Sequence, residues 1–513
     1  MSGPMSKCRR RAGPPRPASS AGPAAAALHG AERPSPARRS VIGGGRERSI
    51  LGILLLAVAA GLAAPARADD AVWSQTPYRV RVLLALEPAA EFADPFPQRL
   101  ADVLGERLES VVGAVWEADV EAAEGPLRSE VLAGLEGLDA AKLAERYPEG
   151  DKLLLVAVSG DLGGYSVAAR DLDLRTQRLG TPVRHRAGEP AKLRDVALDA
   201  LWAAFAPVAR IQRVEQRDVV LLPRAGALPF RDPTLAAVEA GDVFRPLIRH
   251  NDRDGSLRAV AEIPWSYLNV LQASGWTVNC RIHSGLRTPL SGRRRGRVEQ
   301  LALKVLPPGE PTRLALRPRT GPDEFLAGFA VYAYAPDSPE TTLLGHTDEA
   351  GSIVVPPDDG PLRILLVRSG GVFLARLPIV PGAPPEQTAE VANDNQRLMA
   401  EGVIRGIQER LVDQVARREV LVARARARLE AGDIDEAVRL VRELERLGTR
   451  EDFARLVENE RQRIFSADPL VQRQIEAMFR ETREMAAAHL DPAPIEQIAI
   501  EVARAQRGGV AGS

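Results

Sequence analysis

Apolar positions follow three regimes along this chain: mixed strand and helix periods to about residue 206, strand periods to about 380, helical periods beyond. The run Tyr-Arg-Val-Arg-Val-Leu-Leu-Ala-Leu at 78–86 alternates and then turns fully apolar, as a strand entering a core does. Leu100, Val103, Leu104, Leu108, Val111 and Val115 recur at three and four, predicting an amphipathic helix introduced by Pro97. A second helix is expected over about 136–147. Lys152 to Ser159 then reads as a buried strand, Gly163-Gly164 as a tight turn and Tyr165 to Leu174 as the returning strand. A short strand near 181–186 and a helix over about 191–206, with Val196, Leu201, Trp202 and Phe205, complete one α/β sandwich domain.

Beyond it, strands are predicted at 217–222, 243–250, 257–263, 276–283, 297–305 and 312–317, with turns at Asp254-Gly255 and Ser291-Gly292. That pattern implies a small barrel or sandwich. Pro381-Gly-Ala-Pro-Pro385 reads as a linker, with helix expected after it. Ile404, Ile407, Leu411, Val415, Val422, Ala425 and Leu429 make a long stripe that Gly432 ends. Asp433-Ile-Asp-Glu436 predicts a capping box opening the next helix, whose Ala437, Leu440, Val441 and Leu444 face inward. Further helices are expected at about 451–465 and 469–488.

Three stretches resemble known families. The run 165–177, between an apolar strand and a closing helix, resembles the small α/β domains of bacterial envelope proteins, such as the amino-terminal domain of the Tol-system propeller protein and the curli-secretion family. That likeness covers about 78–206 and implies a binding or assembly module. Gly328-Phe-Ala-Val-Tyr-Ala-Tyr334, the Thr-Asp-x-x-Gly stretch within Leu344 to Val355, and Leu362 to Val367 resemble a prealbumin-like sandwich of the carboxypeptidase-regulatory type. This second resemblance, at about 325–383, implies an accessory structural or adhesive domain without catalytic residues. The Gly-Asp-x-x-Glu-Ala turn at 432–437 resembles one tetratricopeptide unit, at about 420–447; arrays of such units need at least about three, so a plain helical hairpin is the expectation.

Near the amino terminus the apolar run Ile50 to Ala64 follows Arg46 and Arg48 and precedes Ala66-Arg67-Ala68. Charged, apolar and small-x-small segments in that order predict a signal peptide at 49–68 cleaved before Asp69. The run is shorter than the roughly 20 residues that a spanning helix needs, so a retained inner-membrane anchor is the lesser alternative. Residues 1–48, rich in Pro, Ala, Ser and Arg, read as a disordered basic leader, or as the product of a mis-set start with Val41 as the true one. Either way, an exported protein is expected: periplasmic, in the outer envelope or extracellular.

Charge changes the picture once 1–68 is set aside. The whole chain has 68 Lys+Arg and 68 Asp+Glu; 1–68 holds 11 and 2 of them, leaving 57 and 66, a net charge near −9. General nucleic-acid binding does not suit an acidic chain. Five lysines against 63 arginines make any single Arg cluster less telling. Cys8 lies in the leader, so Cys280 has no intrachain partner and is expected as a buried thiol.

Nucleophile, zinc and phosphate-loop motifs are absent from the sequence, and the five histidines beyond residue 68 (185, 250, 283, 346 and 489) show no ligand spacing. No metal and no cofactor is expected. His250-Asn-Asp252-Arg-Asp254-Gly255 mimics the start of a calcium loop, but its twelfth position is Ala261, so a hairpin turn is the better reading. Asp171 and Asp173 share one face of a strand; such a pair can hold a metal or share a proton, yet solvated strand residues are commoner. Arg281, Arg287, Arg293, Arg294, Arg295 and Arg297 fall on an expected hairpin. Gathered guanidinium groups can grip phosphate, carboxylate or sugar-acid groups bidentately, and the competing reading is a solvated turn. Trp265, Tyr267 and Trp276 suit a glycan platform or, more simply, core anchors.

The sequence thus predicts a multidomain α+β chain. The leader (1–48) and signal (49–68) precede an α/β domain (69–215), a β-rich domain (216–320) and a prealbumin-like sandwich (321–385). A helical arm or bundle (386–490) and a partly helical tail (491–513) follow. The expected role is a non-enzymatic envelope adaptor or scaffold with an envelope protein as partner. The alternative is a binder of an anionic solute or cell-wall polymer through the Arg hairpin; membrane contact is expected only through a retained anchor.

Overall fold

The computed structural model describes residues 68–510, apart from 162, 275, 291–296, 322–323 and 339. The expected leader, signal and Ser291-Gly292 turn therefore lie outside the described residues, Ala68 excepted. The chain is a multidomain α+β protein whose first domain is a three-layer sandwich. Its sheet runs in the order β2-β1-β3-β4-β5, with β6 also on β4. The strands are β1 (Tyr78–Leu86), β2 (Trp116–Ala122), β3 (Lys152–Asp161), β4 (Gly164–Asp173), β5 (Arg178–Leu179) and β6 (Val183–Ala187). β1 is parallel to β2 and β3, whereas β3, β4 and β6 form an antiparallel meander.

Alternation sorts β1 between two cores. Val80, Val82, Leu84 and Leu86 meet helices α2 (Phe96–Val112) and α5 (Leu193–Ala204), after α1 (Ala68–Gln75) at the head of the described residues. Leu83 and Ala85 meet α3 (Gly125–Ala133), with α4 (Ala140–Arg146) beside it. Burial on both faces explains why this strand becomes wholly apolar. β2 and α3 are among the elements that had no sequence signal. β2 is an edge strand reading Trp-Glu-Ala-Asp-Val-Glu-Ala, with only Trp116 buried, and α3 opens on a glycine.

A closed antiparallel barrel follows. Six strands, β7 (Val208–Glu215), β8 (Asp218–Pro223), β9 (Val243–Asn251), β11 (Ser266–Ser274), β12 (Thr277–Ser284) and β13 (Val298–Val305), close through the β9–β13 ladder. β10 (Leu257–Glu262) extends β9. β7 and β11 escape the alternation rule because each carries a bulge, at Ile211/Arg213 and Val270/Gln272, that shifts the side-chain phase midway. Cys280 is free and buried in the barrel core, as expected of a lone thiol.

The strand at 312–317 does not close the barrel. It is β14 (Thr312–Pro318) of a seven-stranded sandwich with β15 (Ala330–Tyr334), β16 (Thr342–His346), β17 (Ser352–Val355), β18 (Arg363–Ser369), β19 (Val372–Ile379) and β20 (Glu386–Val391). One sheet is β17-β14-β20 and the other β16-β15-β18-β19. β20 corrects the expectation that everything after the Pro-rich linker is helical: Ala389 and Val391 alternate into the sandwich core while β20 lies parallel to β14. In the Thr-Asp-x-x-Gly turn, Asp348 Oδ1 accepts the Ser352 N–H at 2.8 Å, and Thr347 Oγ1 accepts that of Phe329 at 3.0 Å. Gly351 closes the turn at φ +68, where a Cβ would lie 2.9 Å from Leu316 O and Leu326 N.

Five helices form the arm: α6 (Asn395–Glu430), α7 (Ile434–Glu445), α8 (Arg450–Arg463), α9 (Pro469–His489) and α10 (Ala493–Val510). The stripe on α6 splits between two cores, Ile404 to Leu411 packing with α8 and α9, and Leu421 to Ala425 with α7 and α10. Asp433 caps α7 by accepting the Glu436 N–H alone, among the described residues, whereas the reciprocal capping box is at Thr449 and Asp452. A buried Asp394–Arg397 pair roots α6 on the sandwich, with Arg397 donating to Ser369 O.

Candidate functional site

Burial first decides what the carboxylate pair can do. Strand register sets Lys152 opposite Asp173 and Leu154 opposite Asp171, so the three charged groups share the face turned toward α5. Lys152 Nζ lies 2.8 Å from Asp171 Oδ2 and 3.1 Å from Asp173 Oδ2, and also donates to Ala206 O. Asp171 accepts the Ala206 N–H at 2.9 Å, and Asp173 accepts both Thr176 donors at 2.7 Å. Side-chain exposure is 0% for Lys152 and 1% for each aspartate. The expectation of solvated strand residues is thus overturned, since all three are sealed from substrate and water alike.

One ammonium between two carboxylates leaves a buried excess of negative charge. Burial pushes Asp171 up to about 6, against the opposing pull of Lys152. For Lys152 burial works against the charge, but Asp171 and Asp173 outweigh it, so its pKa rises and it stays protonated. Tyr78 stands at the same seam, its hydroxyl accepting the Val208 N–H at 3.1 Å and donating to Val208 O at 3.2 Å. Ala206 and Val208 are where the chain crosses into the barrel, so this cluster is an interdomain clasp. Its sequence signal was a lysine heading an apolar strand opposite an Asp-x-Asp.

Trp73 reinforces the seam from α1. Its ring is buried against the barrel, Nε1 donates to Leu222 O at 2.9 Å, and Arg175, Arg210 and Arg224 stand 5.0, 4.4 and 5.2 Å from its centroid. Arg175 in turn reaches Glu299 on β13 at 2.6 Å.

The arginine positions divide. Arg281 lies on β12 with its guanidinium 3.5 Å from Asp218. Arg287 is exposed past the end of that strand, and Arg297 is exposed before β13, its carbonyl accepting the Asn251 N–H. Arg293, Arg294 and Arg295 lie outside the described residues. The aromatic trio does not form one platform: Tyr267 is buried, Trp265 packs toward the sandwich core, and Trp276 is exposed at the β11–β12 turn. The calcium-like stretch is a β9–β10 hairpin in which Asp254 accepts both Ser256 donors. Among the described residues no group of three or more His, Cys, Asp or Glu is placed to hold a metal ion.

Three domains frame an open cleft of about 840 Å³ that sequence reasoning missed. One wall is the continuous stretch Gln177 to His185, which contains β5 and most of β6. The barrel supplies Arg245 and Leu303 to Leu306, the barrel–sandwich linker adds Pro307 and Pro308, and the β19–β20 loop of the sandwich adds Pro384 and Pro385. Five cations (Arg170, Arg178, Arg184, Arg245 and Lys304) line it against three carboxylates, Glu136, Glu262 and Glu310. Arg178 and Arg245 each stand 3.4 Å from Glu262, and Arg184 pairs with Glu136, whose carboxyl it holds below the usual range. Arg170 donates to the Gly180 and Leu135 carbonyls, with no carboxylate in ion-pair range among the described residues. No run of sequence announces this site, because its walls are residues brought together from three domains.

No family model and no curated protein matches the chain. Similar solved structures include TolB from Acinetobacter baumannii, 12% identical over 62% of this chain and 96% of that one, with a TM-score of 0.18. Another is lipoprotein GNA1162 from Neisseria meningitidis, 15% identical over 22% of this chain and 81% of that one, with a TM-score of 0.14. TM-scores this low give neither likeness weight for fold or function.

Proposed function

We propose that this chain is an exported, non-enzymatic envelope protein that holds other proteins together, an adaptor rather than a catalyst. The observation that carries this reading is the three-domain cleft: a solvent-open site with a net positive lining, built on domains clasped by the Lys152 cluster. Export rests on the charged, apolar, small-x-small order at 49–68. Among the described residues no helix is long and apolar enough to cross a membrane. The carboxylate pair most suggestive of chemistry is spent on an internal ion pair, which supports binding over turnover.

Crosslinking in the native cell, followed by affinity purification and mass spectrometry, tests the reading. A recurrent, near-stoichiometric envelope protein is expected, with the mature chain beginning at Asp69. Recovery of the chain alone, or with cell-wall fragments only, overturns the adaptor role.

A further inference from the structure

Resting on that adaptor reading, we infer that the three-domain cleft receives an extended, acidic peptide segment of the partner, which adds as a strand to the open edge of β6. Geometry comes first. β6 pairs only with β4, in the register Tyr165↔Ala187 to Ala169↔Val183, and no other backbone bond engages residues 183–187 among the described residues. Alternate residues of an edge strand turn their N–H and C=O groups to the open side, a template for another chain. Val183, Arg184 and His185 line the cleft, so that open side lies within reach of a ligand there.

The opposite wall cannot compete for the ladder. Proline has no N–H, and the Pro384 and Pro385 carbonyls are already taken by Thr312 Oγ1 and the Arg313 N–H. An incoming strand therefore finds backbone partners on one side and apolar rings on the other. This is strand addition in a groove, with main-chain bonds giving affinity and side chains giving choice.

Charge selects the side chains. The cleft carries two more positive than negative groups, although the chain from Asp69 onward is net acidic. Arg184, 60% exposed, is free to swing from Glu136 onto carboxylates on its own face of the sheet, the face of its register partner Ala168, whereas Arg178, opposite Asp173, serves the other face. A strand period of two puts every second side chain on one side. A segment alternating acidic and small polar residues thus presents all its carboxylates together.

The test uses the chain from Asp69 to Ser513 and a fluorescein-labelled decapeptide of alternating Thr and Glu, read by anisotropy. Further probes are its Thr-Lys analogue, two versions N-methylated at every second amide in opposite phase, and polygalacturonate as a competing polyanion. We expect the Thr-Glu peptide to bind, the Thr-Lys peptide not to, and one methylation phase alone to abolish binding. Arg184→Ala should weaken binding about tenfold, about the loss of one modest charge contact, with circular dichroism unchanged. Absence of Thr-Glu binding overturns the inference, and so does indifference to both methylation phases. Displacement by polygalacturonate together with that indifference identifies an anion patch instead. A crosslinked partner with no peptide binding would remove this inference alone, whereas loss of both removes the adaptor reading too.

Discussion

Lys152 sits between two carboxylates and is closed to solvent. A buried ion pair is weak evidence of stability, yet breaking one is costly because the leftover charge has no water to solvate it. Lys152→Met should therefore destabilise the chain by about 3–5 kcal/mol in urea unfolding. Adding Asp171→Asn and Asp173→Asn should recover most of that loss; a triple variant as weak as the single one would contradict the account. Acid titration separates two further residues. Burial, with Arg376 nearby, pushes His283 down to about 4, so the native imidazole stays neutral while the unfolded one protonates near 6.5. Stability from this group is lost as pH falls through that window. Asp171 has the opposite sign: its native carboxyl takes a proton near 6, before the unfolded one at 3.8, so this group favours the native state on acidification. Urea midpoints at pH 7 and pH 5 should show a smaller acid drop in His283→Gln and a larger one in Asp171→Asn.

At the scale of elements, the Asp348 turn of the sandwich depends on one residue. Gly351 combines φ +68 with two backbone atoms 2.9 Å from where a Cβ would sit. Gly351→Ala should cost about 1–3 kcal/mol in strain, read as faster hydrogen exchange at Leu316 and Ser352, with the arm unaffected. The elements themselves were legible in proportion to how regularly they bury one face. β1, β3, α2 and the α6 stripe stood out, because each carries a long run of apolar buried positions. β7 and β11 did not, since a bulge moves the apolar set to the other face halfway along. Charged β2 and short β20 lie at sheet edges with little buried surface to mark them. The candidate site was legible only in fragments. Asp171 and Asp173 drew notice, but Lys152, their reason for being there, is distant in sequence, and the cleft appears only after three domains meet.

Across the whole molecule, the clasp and Trp73 bind the α/β domain to the barrel from two sides. Trp73→Ala should cost about 3–5 kcal/mol, as deletion of a buried aromatic does, and should raise hydrogen exchange in β8 and β1 together. Exchange rising in β8 alone would show that the indole seats α1 without coupling the two domains. The sandwich is closed by its first and last strands, β14 and β20, paired in parallel over Arg313↔Glu386 to Pro318↔Val391. The barrel joins β14 at its start, and the arm leaves β20 at its end. Tension between barrel and arm would therefore pull these neighbours lengthwise past each other, loading every rung of the ladder at once instead of peeling them in turn. Shear of that kind is the strong direction of a sheet, so a pull on the arm meets a load-sharing joint where the chain would otherwise unzip.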